Sequence, residues 1–202
     1  MDTDRVIMGI DPGTNLLGFG VIRIDGKGPV FIDMGVIDLR KEDNPYEKIR
    51  RIFTEVGALC EKYHPDDLSI ESPFYSKNAQ VIFKLGRAQG AAILAAAIRD
   101  IPVFEYAPRK AKVAITGQGA ASKEQVRVMI QRLLGINMDE KFFDATDALA
   151  IAMCHYCQLT NPLSSTKAST NWLKFIQANP DRIRQAPDIV KKSSKRIKPG
   201  KD

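Results

Sequence analysis

The chain has 202 residues and 44 % apolar side chains, enough for one domain with a core plus an extension. Three cysteines exclude a disulfide framework, no apolar run is long enough to span a membrane, and the acidic, polar start MDTDR is not a signal peptide, so a reduced cytoplasmic protein without membrane contact is expected. The net charge of +6 is uneven: residues 164–202 hold ten Lys or Arg against three Asp while residues 1–163 hold 20 basic and 21 acidic side chains, a tail composition that suits an anionic partner such as nucleic acid.

The first apolar stretch, RVIMGIDPGTNLLGFGVIRI, predicts a hairpin. Val6 to Ile10 form a strand that ends on Asp11, Pro12 and Gly13 break it, and Leu16 to Ile24 resume as a second strand. A core strand has no structural use for a carboxylate at its end. A strand end that opens on a tight turn is held in place yet accessible, which is what a site needs. The plainer alternative is a turn aspartate bonded to the amides of Gly13 and Thr14. After the Asp-Gly-Lys-Gly turn at 25–28, Pro29 to Leu39 form a third strand, and the three make an antiparallel meander. Asn44, Pro45 and Glu47 supply a cap, a first-turn proline and a capping-box acid for a helix that runs to Tyr63, with Ile49, Ile52, Phe53, Val56 and Leu59 at helical spacing. Leu68 to Ile70 form a short strand that ends on Glu71 and repeats the first pattern. The loop SPFYSKN follows.

Asn78 or Ala79 starts a long helix to about Arg99. Gly86 and Gly90 cost it about 1 kcal/mol each, which a close-packed partner, the sheet or a second subunit, would offset. Pro102 to Tyr106 form another strand, Pro108 opens the basic helical piece RKAKVAI, Ser122 caps a helix from Lys123 to Leu134, and a last helix runs from about Phe142 to Leu159. The coarse order is β-β-β-α-β-α-β-α-α. Strands returning through helices lie parallel, so the fold class is α/β, a mixed five-stranded sheet flanked by helices. Residues 1–161 are expected to form the folded domain. Residues 162–202 are expected to be a basic extension, partly disordered, with a short helix around 170–178 carrying Trp172, Leu173, Phe175 and Ile176.

Asp144 and Asp147 are three residues apart and project from one side of the last helix, among apolar neighbours. Two like charges there are costly unless something positive neutralises them. The helix dipole offsets part of the cost, and simple first-turn capping is the alternative reading. Asp11 and Glu71 end strands that can be sheet neighbours. Four carboxylates without a matching set of buried bases favour divalent cations, most naturally Mg²⁺. Two such ions can activate water and stabilise a leaving oxygen in phosphoryl chemistry. Lys77, Arg87, Arg109, Lys110, Lys112 and Lys123 are scattered in sequence but can meet on one face, where they would hold phosphates. Cys154 and Cys157 with His155 between them make a poor zinc site, because no second cysteine pair exists. Cys154, His155, Cys60 and His64 read as structural.

The segments GIDPGTNLLGFGVI, IESPFYSKN, LGRAQGAA, PVFEYAPRKAK and DATDALAIAMCH run in order between Arg5 and Tyr156. Together they resemble the bacterial Holliday-junction resolvases of the RuvC family. The resemblance implies an RNase H-like fold, a homodimer, and symmetric cutting of four-way junction DNA in recombination and repair with Mg²⁺ or Mn²⁺. The activity implied is that of a crossover junction endodeoxyribonuclease with two ions expected per subunit. The family's four acidic residues fall on Asp11, Glu71, Asp144 and Asp147. Its base-contacting aromatic falls on Phe74 and its lysines near the scissile strand on Lys112 and Lys123, with Arg109 on the substrate face. Phe74, Lys77, Arg109, Lys112 and Lys123 are thus the expected DNA-binding set. A branch-migration motor complex is a further partner the resemblance implies. Ser72-Pro73 departs from the family's loop, and the tail after Asn161 exceeds what the resemblance covers. Asp-Pro-Gly-Thr also resembles the first phosphate loop of actin-type and sugar-kinase ATPases, but the second glycine-rich loop and the duplicated lobe are missing. An RNase H-like nuclease acting on RNA, nicks or flaps would share the carboxylates, whereas a non-catalytic DNA scaffold would not need all four.

Overall fold

The computed structural model describes residues 4–72, 78–137 and 143–161. The chain runs β1 (Arg5–Asp11), β2 (Leu16–Asp25), β3 (Gly28–Asp38), α1 (Pro45–Tyr63), β4 (Asp67–Glu71), α2 (Ala79–Ala97), β5 (Val103–Tyr106), α3 (Pro108–Thr116), α4 (Lys123–Leu134) and α5 (Phe143–Thr160). The sheet order is β3-β2-β1-β4-β5. β1 to β3 pair antiparallel and β4 and β5 join in parallel, so the mixed five-stranded sheet expected from the sequence is present.

Three local expectations change. The basic piece after Pro108 is a helix of its own: Gly117 closes it in the left-handed region at φ 75°, and a capping box between Ser122 and Gln125 starts α4. Three helices therefore follow β5, not two. At α1, Asn44 accepts a hydrogen bond from the Tyr46 amide, but Glu47 pairs with Arg50 rather than closing a capping box. α2 ends at Ala97, two residues short of Arg99, and Asp100 turns the chain at φ 57°.

Alternation along the strands decides what each face of the sheet carries. Met8 and Ile10, Leu17 and Val21, and Leu68 and Ile70 point to one side, where Ile52, Val56 and Cys60 of α1 and the alanines of α2 cover them. The opposite side carries Ile7, Gly9 and Asp11 of β1, Gly18, Gly20 and Ile22 of β2, and Asp67, Ser69 and Glu71 of β4. Helices α3, α4 and α5 cover that side through Ile115, Val126, Ile130 and Leu149. A side chain on Gly9 would meet the Ala148 carbonyl oxygen, one on Gly18 the Asp144 carbonyl, and one on Gly20 the backbone and side chain of Leu149. Glycine inside a strand marks such a close backbone approach. α5 therefore lies directly on β1 and β2, and it is buried from Ala145 to His155 except at Asp147.

The far end of α5 is fixed by a buried polar chain. Asp67 has no exposed side-chain surface and accepts from Arg5 at 2.5 and 2.8 Å. His155 Nε2 lies 3.1 Å from the same carboxylate, and His155 Nδ1 is 2.6 Å from the Tyr106 hydroxyl. Burial lowers the His155 pKa, against the opposing pull of Asp67. His155 is thus the structural residue the sequence suggested, as are Cys60, which is buried, and His64, which ends α1 in the left-handed region.

Candidate active site

Asp11 ends β1 on the face that α5 covers. The parallel register of β1 and β4 pairs Ile10 with Ile70, so Glu71 ends β4 beside it. Asp144 and Asp147 stand one turn apart at the start of α5, where Gly18 lets the helix backbone reach the sheet. One carboxylate oxygen from each of Asp11, Asp144 and Asp147 lies within 4.8 Å of the other two. Glu71 stands outside that trio but lines a hollow of about 250 Å³ together with Asp11, Asp147, Lys112 and Lys123.

The lysines are contributed by α3 and α4. Lys123 Nζ lies 2.6 Å from Asp147 Oδ2, and Lys112 Nζ donates to the Ala121 carbonyl at 2.8 Å, just before α4 begins. Arg109 sits on α3 with Lys112 but is exposed and lies over Gly119 rather than on the wall of the hollow. Phe74 and Lys77, like the tail and its expected helix around 170–178, lie outside the described residues.

Crowding and burial set the electrostatics. Asp11 is pushed up to about 7, first by burial and then by the charges of Asp147 and Asp144, with Lys123 opposing. Glu71 is pushed up to about 8 by burial and then by Asp11 and Asp147, against Lys123 and Lys112. Burial pulls Lys123 down, but the hydrogen bond and charge of Asp147, with Asp11 and Asp144 behind it, outweigh that and raise it. The two ammonium groups therefore leave negative charge uncompensated, and part of the cluster holds protons near neutral pH. All its donors are oxygens. Such a set fits a hard divalent cation, whose charge would take the place of those protons. The three aspartates are the one group among the described residues with metal-ligand spacing, and Cys154, His155 and Cys157 do not form another.

Sequence reasoning missed two supports of this site. One is the glycine face of the hairpin, visible in the sequence as glycines at alternate positions of GFG, with Gly9 opposite Gly20. The other is the clasp between Asp67 and His155, for which the sequence carries no local signal because 88 positions separate them.

The family model of crossover junction endodeoxyribonuclease RuvC matches residues 7–155. The chain is 51 % identical to the crossover junction endodeoxyribonuclease RuvC of Bacteroides fragilis over 183 residues, covering 90 % of this chain and 97 % of that protein. The structure of RuvC from Thermus thermophilus superposes with a TM-score of 0.69 at 32 % identity, covering 76 % of this chain and 95 % of that one. The same Thermus protein in complex with a Holliday junction substrate gives a TM-score of 0.69 at 28 % identity, with 76 % and 94 % covered. The mixed sheet and its helices are accordingly the RNase H-like arrangement that the resemblance implied. This chain belongs to the RuvC family of crossover junction endodeoxyribonucleases.

Proposed function

We propose that this chain resolves Holliday junctions in DNA recombination and repair, as a structure-specific endonuclease that hydrolyses one phosphodiester bond in each of two opposed strands. The observation that carries the reading is the convergence of Asp11, Asp144 and Asp147 within 4.8 Å, at a hollow whose walls also hold Glu71, Lys112 and Lys123. Asp11, Glu71, Asp144 and Asp147 hold the metal, Mg²⁺ at two ions per subunit, with Mn²⁺ able to substitute. Divalent cations bound there would supply a nucleophile from water and offset charge on the leaving oxygen. The chain's own residues do the rest. β1 and β4 fix two ligands on a sheet and α5 fixes two on a helix, so the constellation is set before DNA arrives. Lys112 and Lys123 face the hollow, where their charge holds the backbone of the strand to be cut, and Arg109 extends that surface along α3. Phe74 and Lys77, three and six positions after Glu71 in the sequence, are the residues assigned to the bases and phosphates of the junction, as the resemblance implies.

Paired cutting needs two sites, and we assign the second to a homodimer formed through α2. Phe83 and Leu94 are 69 and 53 % exposed along that helix and Ile98, its cap residue, 56 %, and nothing lies within 4 Å of a side chain built on Gly86 or Gly90. Of the two partners the sequence left open for these glycines, the sheet is covered by the alanine face instead. An open apolar stripe of this kind suits a second copy. Residues 1–161 serve as the nuclease domain and 162–202 as a basic extension that adds affinity for DNA. A branch-migration motor is the expected further partner and the cytoplasm the expected site of action; among the described residues no helix is long and apolar enough to cross a membrane.

The test is substitution at α5. Asp144→Asn or Asp147→Asn should abolish junction cleavage and keep junction binding, measured on one preparation by cleavage and gel shift. Full activity in the double variant would refute the assignment.

A further inference from the structure

A second hollow, of about 200 Å³, opens on the other side of the turn that follows Asp11. That turn is its shared wall: Asp11 lines the carboxylate hollow, while Thr14 and Asn15 line this one. Lys48 of α1 braces it by donating to the Thr14 carbonyl at 3.0 Å and to Asn15 Oδ1 at 3.2 Å. Lys84 and Arg87 of α2 complete the basic lining, and Asp43 is the acidic side chain there among the described residues.

The charge arrangement calls for an anion. Lys84 and Arg87 are three positions apart on one helix, a spacing at which like charges repel. The first turn of α2 contains no acidic residue, and neither cation has an ion-pair partner among the described residues. Elsewhere on the surface Arg40, Arg50, Arg51 and Arg99 are each held by a carboxylate. Two exposed cations beside a third, facing a hollow with one counter-charge, are a cost in the free protein that a bound phosphate would remove.

We propose that this hollow is a phosphate-binding site for the DNA strand being cut. It holds the backbone on the side of Asp11 away from Lys112 and Lys123. The strand then crosses the carboxylates gripped at both ends, by Lys112 and Lys123 before the Asp11 turn and by Lys48, Lys84 and Arg87 beyond it. The proposal rests on the nuclease reading and says where that substrate lies.

The experiment uses the full chain carrying Lys84→Gln with Arg87→Gln. Both side chains are exposed, so the fold should be kept, and an unchanged unfolding midpoint verifies that. Lys48 is left in place because it braces the turn. Junction binding is measured without divalent ions across a salt series. Each lost phosphate contact removes about 0.7–0.9 from the slope of log affinity against log salt, so the variant should bind about ten-fold more weakly with a slope shallower by between one and two. A second arm replaces single phosphates around the cut by neutral methylphosphonates. The wild type should lose affinity at positions on both sides of the scissile phosphate, and the variant on one side only. An added millimolar inorganic phosphate arm separates a DNA site from a free-anion site: competition at that level would show a small-anion site and overturn the proposal. An unchanged slope, or interference retained on both sides in the variant, would also overturn it. A wild-type chain that binds junctions but never cuts them would refute the nuclease reading, while the interference pattern alone decides this one.

Discussion

Asp67 shows how much a single buried charge governs. Its carboxylate is fully buried between Arg5 and His155, and removing one partner of such a group leaves the others uncompensated. Asp67→Ala should lower the unfolding free energy by about 3 kcal/mol, the lower end because Arg5 is partly exposed and can return to water. Urea unfolding measures it, and a loss under about 1 kcal/mol would contradict the role. Asp11 and Glu71 make stability depend on pH. Their folded pKa values, about 7 and about 8, lie above the ordinary 3.8 and 4.5, so the metal-free folded chain holds protons that the unfolded chain releases. Their contribution to stability is whole below about pH 4 and is lost as pH rises through about 7 and 8. Without metal, stability should therefore fall from pH 5 to 8 on their account, and Mn²⁺ should bind more tightly as pH rises and displace protons. Urea midpoints with and without Mn²⁺, and proton release in titration calorimetry, test this; a flat metal-free profile with no release would sink it. Asp11 and Glu71 were legible in the sequence because a charge ending an apolar strand has no packing reason to be there. The contact of Lys123 with Asp147 was not, since nothing local relates side chains 24 residues apart.

At the scale of elements, helices were legible from caps and apolar spacing, and strands from short β-branched runs between turns. What failed was local hydrogen-bond choice. Glu47 found Arg50 before it found its own cap, whereas the Ser122 cap expected from the sequence does start α4 and leaves the basic piece after Pro108 as a helix of its own. α2 is the instructive case. Its alanines and glycines were visible, but which side each faced depended on the sheet that packs beneath, and only the fold separates the buried alanine row from the exposed stripe of Phe83, Gly86, Gly90 and Leu94. Charging that stripe tests its use: Phe83→Glu with Leu94→Glu should convert a species of about twice 22.4 kDa into one of 22.4 kDa in sedimentation at micromolar concentration. A wild-type chain that sediments as a monomer while still making paired cuts would refute the dimer.

For the whole molecule, the division of charge is the feature that composition alone exposes. Residues 164–202 carry a balance of +7 and the remainder −1. Counterion release from such a tail gives affinity without sequence preference. Truncation after Asn161 should weaken binding to junction and plain duplex alike and make the salt dependence shallower between about 50 and 300 mM, with cleavage retained at saturating enzyme. Unchanged affinity and slope would remove the tail from DNA binding. The strand directions were legible at this scale too, because a helical crossover returns β4 and β5 parallel, but that β4 joins at β1 rather than at β3 was fixed only by the fold. The placing of the basic residues was not legible, because Lys112 and Lys123 share a hollow and Arg87 lines another only through the fold.

The glycine face under α5 has one more effect. Where side chains separate a helix from a sheet, rotamers can give and the gap can drift. At Gly9, Gly18 and Gly20 the helix rests on bare main chain, a hard stop with no compliance. The aperture between Asp11 and Asp144 is set by atoms that are missing, not by any that are present. A single methyl at Gly18 would open it while leaving every carboxylate in the chain. A genetic screen scored on survival after DNA damage would accordingly rank these three positions with the acids, although none of them offers a polar side chain to substrate.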